Sequence, residues 1–141
     1  MVIDPLKDLP GYALRRASWA SMSKLAKRLQ ALDLRPAEAS VLMVIDANPG
    51  ITQSEIGELL NIARANMTPL TMRLSKRKLV ARAKVDGRSQ GLSLTELGSD
   101  LVERVRHSLS EHEAKLMARI PARLHAPFLE AIRMLWSRRD D

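Results

Sequence analysis

Apolar residues recur at three- and four-residue steps along residues 12–32, through Leu14, Ala17, Met22, Leu25, Ala26, Leu29 and Leu32. That period predicts a long amphipathic helix. Before it, Pro5, Pro10 and Gly11 suggest an extended arm over residues 4–11. Leu34-Arg35-Pro36 breaks the helix. Pro36 suits the first position of a second helix, which runs to about Ala47 with Val41, Leu42, Val44 and Ile45 as its apolar set. Asn48-Pro49-Gly50 is a turn. Next, Thr52 and Glu55 have the spacing of a capping box, so a short helix is expected over 53–60 with Ile56, Leu59 and Leu60 facing inward. A further helix should start at 64 or 65 and run to 78. Its buried stripe is Met67, Leu70 and Leu74, with Thr71 a further candidate.

The period then changes to 2. Residues 79–85 alternate, as do residues 91–95, and Asp86-Gly87-Arg88-Ser89 between them reads as a turn. A two-stranded hairpin follows from this. Thr95 suits the cap of a long helix over 96–118, Ile120-Pro121 breaks it, and a last helix, started or interrupted by Pro127, ends near Arg138. At 141 residues this is one domain. Aromatics make up 3 % of the chain, so the core must be Leu, Ala, Ile, Val and Met, a composition that favours helix on helix.

Charge changes the picture. Residues 61–91 hold eight basic side chains against one acid, Asp86, which accounts for the whole formal net charge of +7. Such a block is the footprint of a surface for a polyanion, most often nucleic acid; a solvated basic face with no partner is the alternative. The absence of Cys excludes disulfides, thiol redox sensing and Cys-ligated zinc. No run of 18 apolar residues exists, and no basic stretch followed by an apolar one opens the chain, so the expected location is the cytoplasm.

Two helices joined by a tight turn and followed by a hairpin make a winged helix-turn-helix. The first helix of the pair crosses the DNA backbone, here with Thr52, Gln53 and Ser54 at its start. The second places its N-terminal residues in the major groove. Its outward positions are Arg64, Ala65, Asn66, Thr68 and Thr71. Asn suits adenine, Arg guanine, and small residues thymine methyls. Arg73, Lys76 and Arg77 lie later on that helix, where phosphate is the expected contact. The hairpin contributes Arg82, Lys84, Ser89 and Gln90, with Arg88 at a tip suited to a narrow minor groove. Asp86, two residues earlier, is a candidate to orient the Arg88 guanidinium, or an ordinary turn residue.

Residues 53–60, the helix after them, and above all the Asp86-x-Arg88 tip followed by Leu92-x-Leu94-Thr95 resemble the MarR family of bacterial regulators. The resemblance spans residues 34–101 by motif and nearly the whole chain by helix order. It implies a mainly α fold with a small β-hairpin wing. Residues 34–96 would form the DNA-binding lobe, and residues 5–32 and 97–139 the dimerisation helices. It also implies a homodimer on a palindromic operator, with repression relieved by a small anionic, often aromatic, ligand. Three residues depart from the family pattern. Pro69 replaces a helix former, Lys78 replaces the helix-ending Gly, and Ala63 or Ala65 replaces the usual cap.

Other chemistry is thin. His107 and His112 are five apart, so they do not share a helix face as a metal pair would. No nucleophile triad or phosphate-cradling Gly loop appears, so no enzyme, cofactor or metal is expected. A ligand pocket between the first two helices and the start of the long fifth one would draw on Arg15, Arg16, Ser18, Trp19, Met22 and Met43, unless these are packing or solvated residues. Leu124, Phe128, Leu129, Ile132, Leu135 and Trp136 are too many apolar groups for a lone terminal helix, which points to a second subunit. The expected function is a dimeric repressor released by a small aromatic acid or acyl thioester. A ligand-independent or architectural DNA-binding protein, and a helical protein-interaction module with a basic face, are the alternatives.

Overall fold

Caps and breaks set the element boundaries. In the computed structural model, which describes residues 1–136, α1 (Pro10–Leu29) runs into a 3-10 turn, Gln30–Leu32. Then come α2 (Pro36–Ala47), β1 (Ile51–Thr52), α3 (Gln53–Leu60) and α4 (Arg64–Lys76). Strands β2 (Val80–Lys84) and β3 (Gln90–Leu94) lead to α5 (Glu96–Met117), a 3-10 turn Ala122–Leu124, and α6 (His125–Trp136). This is the expected mainly helical, winged-helix arrangement. The expected helix end near Arg138, and the last residues of the 97–139 segment, lie outside the described residues.

The N-terminal arm differs from expectation. It folds into a turn, with the Leu6 N–H on Asp4 Oδ1 at 3.0 Å, and α1 already starts at Pro10. Its fixed φ and missing N–H cost nothing at a helix start. The hairpin also differs. It is part of a three-stranded antiparallel sheet of order β1-β3-β2, because Ile51 and Thr52 pair with Leu92 and Gly91. Two residues are too short to show a period of 2, so the alternation could not reveal this strand.

The core gathers one stripe from each element: Leu29, Leu42, Ile45, Ile56, Met67, Leu74, Leu92, Val102 and Val105 are all essentially inaccessible. Each such side chain contributes roughly 1.5–3 kcal/mol by leaving water. Three residues assigned inward by period are not. Leu59 is 64 % exposed, and Leu14 and Met22 are each about half exposed. Leu14 and Met22 share the stripe of Leu25 and Leu29, but only the C-terminal part of that stripe reaches the core within one chain.

Both long helix junctions are built from side-chain caps and backbone fit. Thr52 Oγ1 accepts from the Glu55 N–H while Glu55 Oε2 accepts from the Thr52 N–H at 2.8 Å, the expected capping box. Thr95 Oγ1 accepts from the Gly98 N–H at 3.0 Å and donates to the Lys78 carbonyl at 2.6 Å. A side chain at Gly98 would place its Cβ 2.0 Å from the Leu79 carbonyl oxygen, so α5 can start this close to the sheet only with glycine there.

α4 starts without a side-chain cap at Ala63, as expected, and continues through Pro69. Because the helix starts at Arg64, Pro69 is its sixth residue, and its missing N–H costs one interior helical bond. The other end is closed by two backbone bonds, Leu79 N–H to Leu74 O at 3.1 Å and Lys78 N–H to Ser75 O at 2.9 Å. Closure requires Lys78 in the left-handed region, at φ 58°. A residue with a Cβ is strained there. Lys78→Gly should therefore raise stability by roughly 1 kcal/mol, read by urea unfolding, with Lys78→Ala giving no gain.

Candidate nucleic-acid interface

A groove of about 960 Å3 lies between α3, the start of α4 and the wing. It gathers Thr52, Gln53, Ser54, Arg64, Arg82, Arg88, Ser89 and Gln90. Three of these are arginines, set against one lining carboxylate, Glu58. Ala65, Asn66 and Thr68 are exposed on the first turns of α4, and Lys76 and Lys84 are exposed outside the groove.

A chain of hydrogen bonds fixes the groove walls relative to one another. Gln53 Nε2 donates to Thr68 Oγ1 at 3.1 Å, and Gln53 Oε1 accepts from Thr71 Oγ1 at 2.9 Å. Arg82 then donates to Thr71 Oγ1 at 3.1 Å, which ties β2 to α4. Thr71 is fully buried, so it is a strut inside the lobe and does not contact bases as its position suggested. A helical wheel placed it on the border of the buried stripe, and the partner it needed lay 18 residues earlier in the chain.

The wing tip is also corrected. Asp86 Oδ1 accepts the backbone N–H groups of Arg88 at 2.8 Å and Ser89 at 2.7 Å. The carboxylate shapes the turn and does not hold the Arg88 guanidinium. These two bonds, first that from Arg88 and then that from Ser89, hold its carboxyl below the usual carboxylate range. The Arg88 side chain is thus presented from a fixed backbone.

The late cations of α4 turn away from the expected phosphate position. Arg73 Nη1 meets Glu38 Oε1 at 2.6 Å, and its Nη2 meets both the carbonyl and the carboxylate of Asp33 at 3.1 Å. Arg77 donates to the Asp33 carbonyl at 2.5 Å and the Leu32 carbonyl at 3.2 Å. The Glu38 side chain is 3 % exposed, and its second oxygen accepts the Arg35 N–H at 3.1 Å. Two of the three cations assigned to phosphate therefore bind the α1–α2 junction. The sequence signal existed, since Asp33 and Glu38 are the acids nearest a helix-breaking stretch, but their pairing spans 35 to 44 residues.

The proposed pocket residues do not converge. Arg15 and Arg16 lie 5.5 and 5.6 Å from the Tyr12 ring centroid, and Arg16 also donates to the Tyr12 hydroxyl at 2.8 Å. Ser18 and Trp19 are exposed, Met22 is about half exposed, and Met43 packs half-buried against the core. A cavity of about 470 Å3 lies instead between α1 and the second half of α5, and none of the six lines it. Ser21, Lys24, Arg28, His112, Lys115 and Arg119 do, with Ala17, Ala20, Leu116 and Ile120. The visible signal was Ala17, Ala20 and Ser21, small residues that leave volume where a longer apolar side chain would fill it.

Comparisons with known proteins agree with this geometry. Residues 32–89 match a family model described as the MarR family. The transcriptional repressor CouR bound to a 23-mer DNA duplex is 30 % identical with a TM-score of 0.87, over 96 % of this chain and 97 % of that one. CouR bound to p-coumaroyl-CoA superposes with a TM-score of 0.88 at 28 % identity, over 99 % of both chains. A MarR family protein of Mycobacterium tuberculosis in complex with salicylic acid is 25 % identical with a TM-score of 0.73, over 92 % of this chain and 98 % of that one. A protein assigned to regulation of the hcr operon of Thauera aromatica is 24 % identical over 113 residues, 78 % of this chain and 68 % of that one. Among the described residues no helix is long and apolar enough to cross a membrane.

Arg73→Ala discriminates the latch from a phosphate contact. Leaving Glu38 buried and unpaired should lower stability by about 1–3 kcal/mol, relieved in part by water because Arg73 is a third exposed. The salt slope of DNA binding should stay as in the wild type. A lost phosphate contact would instead reduce that slope by about 1.

Proposed function

As a member of the MarR family, the chain is a transcriptional regulator, and we propose that it acts as a homodimeric repressor that leaves a palindromic operator when a small anionic ligand binds. The observation that carries the DNA-binding part is the groove itself. It places Arg64 of α4 and Arg88 of the wing on the two sides of one concave, basic surface. α4 enters the major groove with Asn66 and Arg64 reading base edges, and Arg88 reaches the neighbouring minor groove. Thr52 and Ser54 at the start of α3 meet the backbone. The DNA complex of CouR supports this docking, and the p-coumaroyl-CoA and salicylic acid complexes support relief by an anionic aromatic compound.

The dimer is supported by surface left uncovered in one chain. No residue of α6 is buried, and Leu129, Met134, Leu135 and Trp136 are all more than 40 % exposed. On α1, Leu14, Trp19 and Met22 are exposed as well, as are the arm residues Leu6 and Leu9. A second copy of this chain covers both sets. An interface of this apolar kind buries on the order of 2,000 Å2 or more. Sedimentation equilibrium at micromolar concentration should give twice the chain mass; a folded monomer would refute the assembly.

The wing is tested with an operator selected from a random duplex library. Arg88→Ala should weaken binding by roughly 1–3 kcal/mol at moderate salt, with thermal stability unchanged because the tip is exposed. Wild-type affinity in this variant would remove the wing from the mechanism.

A further inference from the structure

The hydrogen bonds between α3, α4 and β2 have a direction as well as a length. They end on Thr68, which is exposed and lies four residues after Arg64 on the same face of α4. Thr68 Oγ1 accepts from Gln53 Nε2 at 3.1 Å. Its own O–H meets no acceptor among the described residues. What that hydroxyl offers to a partner outside the chain depends on which way round the Gln53 amide is held.

Arg82 sets that orientation from the far end. Its Nη2 donates to Thr71 Oγ1 at 3.1 Å, and a guanidinium can only donate. Thr71 therefore spends a lone pair on Arg82, and its single proton goes elsewhere. Three acceptors surround it: Gln53 Oε1 at 2.9 Å, the Met67 carbonyl at 3.1 Å and the Thr68 carbonyl at 3.2 Å. The amide oxygen is the shortest, and both carbonyls lie inside α4, where the helical ladder uses them. The cation beside Thr71 also draws the negative end of the Gln53 amide to that side and strengthens each bond beyond it. Nε2 is then left for Thr68. Thr71 is fully buried and Gln53 half-buried, so water competes little at the middle of the chain.

We propose that this relay, from Arg82 through Thr71 and Gln53, fixes the Thr68 hydroxyl as a hydrogen-bond donor toward DNA, so that Thr68 selects a base edge carrying an acceptor. The inference rests on the reading of α4 as the helix in the major groove. There guanine offers O6 and N7, adenine N7 and thymine O4, whereas cytosine offers an amino donor. A cytosine facing Thr68 leaves the hydroxyl proton unpaired in the interface, which costs binding. Gln53, Thr71 and Arg82 are positioning residues: they decide what Thr68 reads without touching a base themselves.

The test is selection of an operator from a random duplex library by the full chain, followed by affinity measurements on duplexes changed one base pair at a time. Thr68→Val should erase the preference at one symmetric position in each half-site, and Thr68→Ser should keep it. At that position the wild type should favour an acceptor base over cytosine by about three- to tenfold, the worth of one hydrogen bond. Gln53→Glu reverses the relay. Both side-chain oxygens then accept, the Thr68 proton turns inward, and a lone pair faces the groove. The ranking at that position should invert toward bases with an amino group, while the added charge lowers affinity for every duplex. Arg82→Met gives a second reading without added charge: the preference there should flatten, and Arg82→Lys should keep it. A merely structural strut would weaken all duplexes alike. A wild-type ranking at that position in Gln53→Glu or in Arg82→Met therefore overturns the relay and leaves DNA binding standing. Failure of the wild type to select any operator overturns the major-groove reading itself, and the relay with it.

Discussion

A single buried carboxylate holds this protein's parts in register. Glu38 sits in the first turn of α2, almost wholly out of water, and both of its oxygens are used. One accepts the backbone N–H at the start of its own helix; the other accepts the guanidinium of Arg73 from the far side of α4. An isolated charge in that position would be costly, and the pairing makes it tolerable only in one geometry. The orientation of α4 against α2 is therefore set by an electrostatic constraint as well as by apolar packing, which tolerates many angles. Arg77 and Asp33 extend the constraint to the end of α1. Arg73 and Arg77 are engaged by this latch, while Arg64, Arg82 and Arg88 line the groove between α3, α4 and the wing.

The DNA-binding lobe was legible because its signals are local. The Thr52–Glu55 box, the Thr95 cap, the Asp86 turn and the alternation of β2 and β3 each lie within a few residues of chain, and each predicts one feature correctly. Lys78 stood out only through the family resemblance, which puts a helix-ending Gly there, and a left-handed Lys78 was one of two outcomes it left open. What stayed hidden was long-range. The pairing of Arg73 with Glu38, the Thr71 strut and the short β1 strand all depend on partners 18 to 41 residues away. Amphipathic period also says which face of a helix is apolar but not how much of its length is covered. Leu14 and Met22 do lie on the stripe of Leu25 and Leu29, but nearer the N-terminus, where a single chain leaves that stripe uncovered.

The expected pocket residues and the observed cavity diverge for a related reason. Arg15, Arg16 and Trp19 attract attention as chemistry-bearing residues close together in sequence, yet Tyr12 occupies both arginines and Trp19 points outward. The cavity between α1 and α5 is marked by what is small. Ala17, Ala20 and Ser21 on α1 face His112 and Leu116 on α5, and the space they leave becomes a site only when both helices are assembled.

The short β1 strand carries a mechanical implication. Its two residues bond to β3 and pass directly into α3, so the wing and the helix pair share a continuous backbone hinge-free connection. The Arg82–Thr71–Gln53 bonds close the same loop from the other side. The lobe is thus braced on two sides, which sets the distance between the wing and the start of α4. A displacement of the wing would carry α3 and α4 with it.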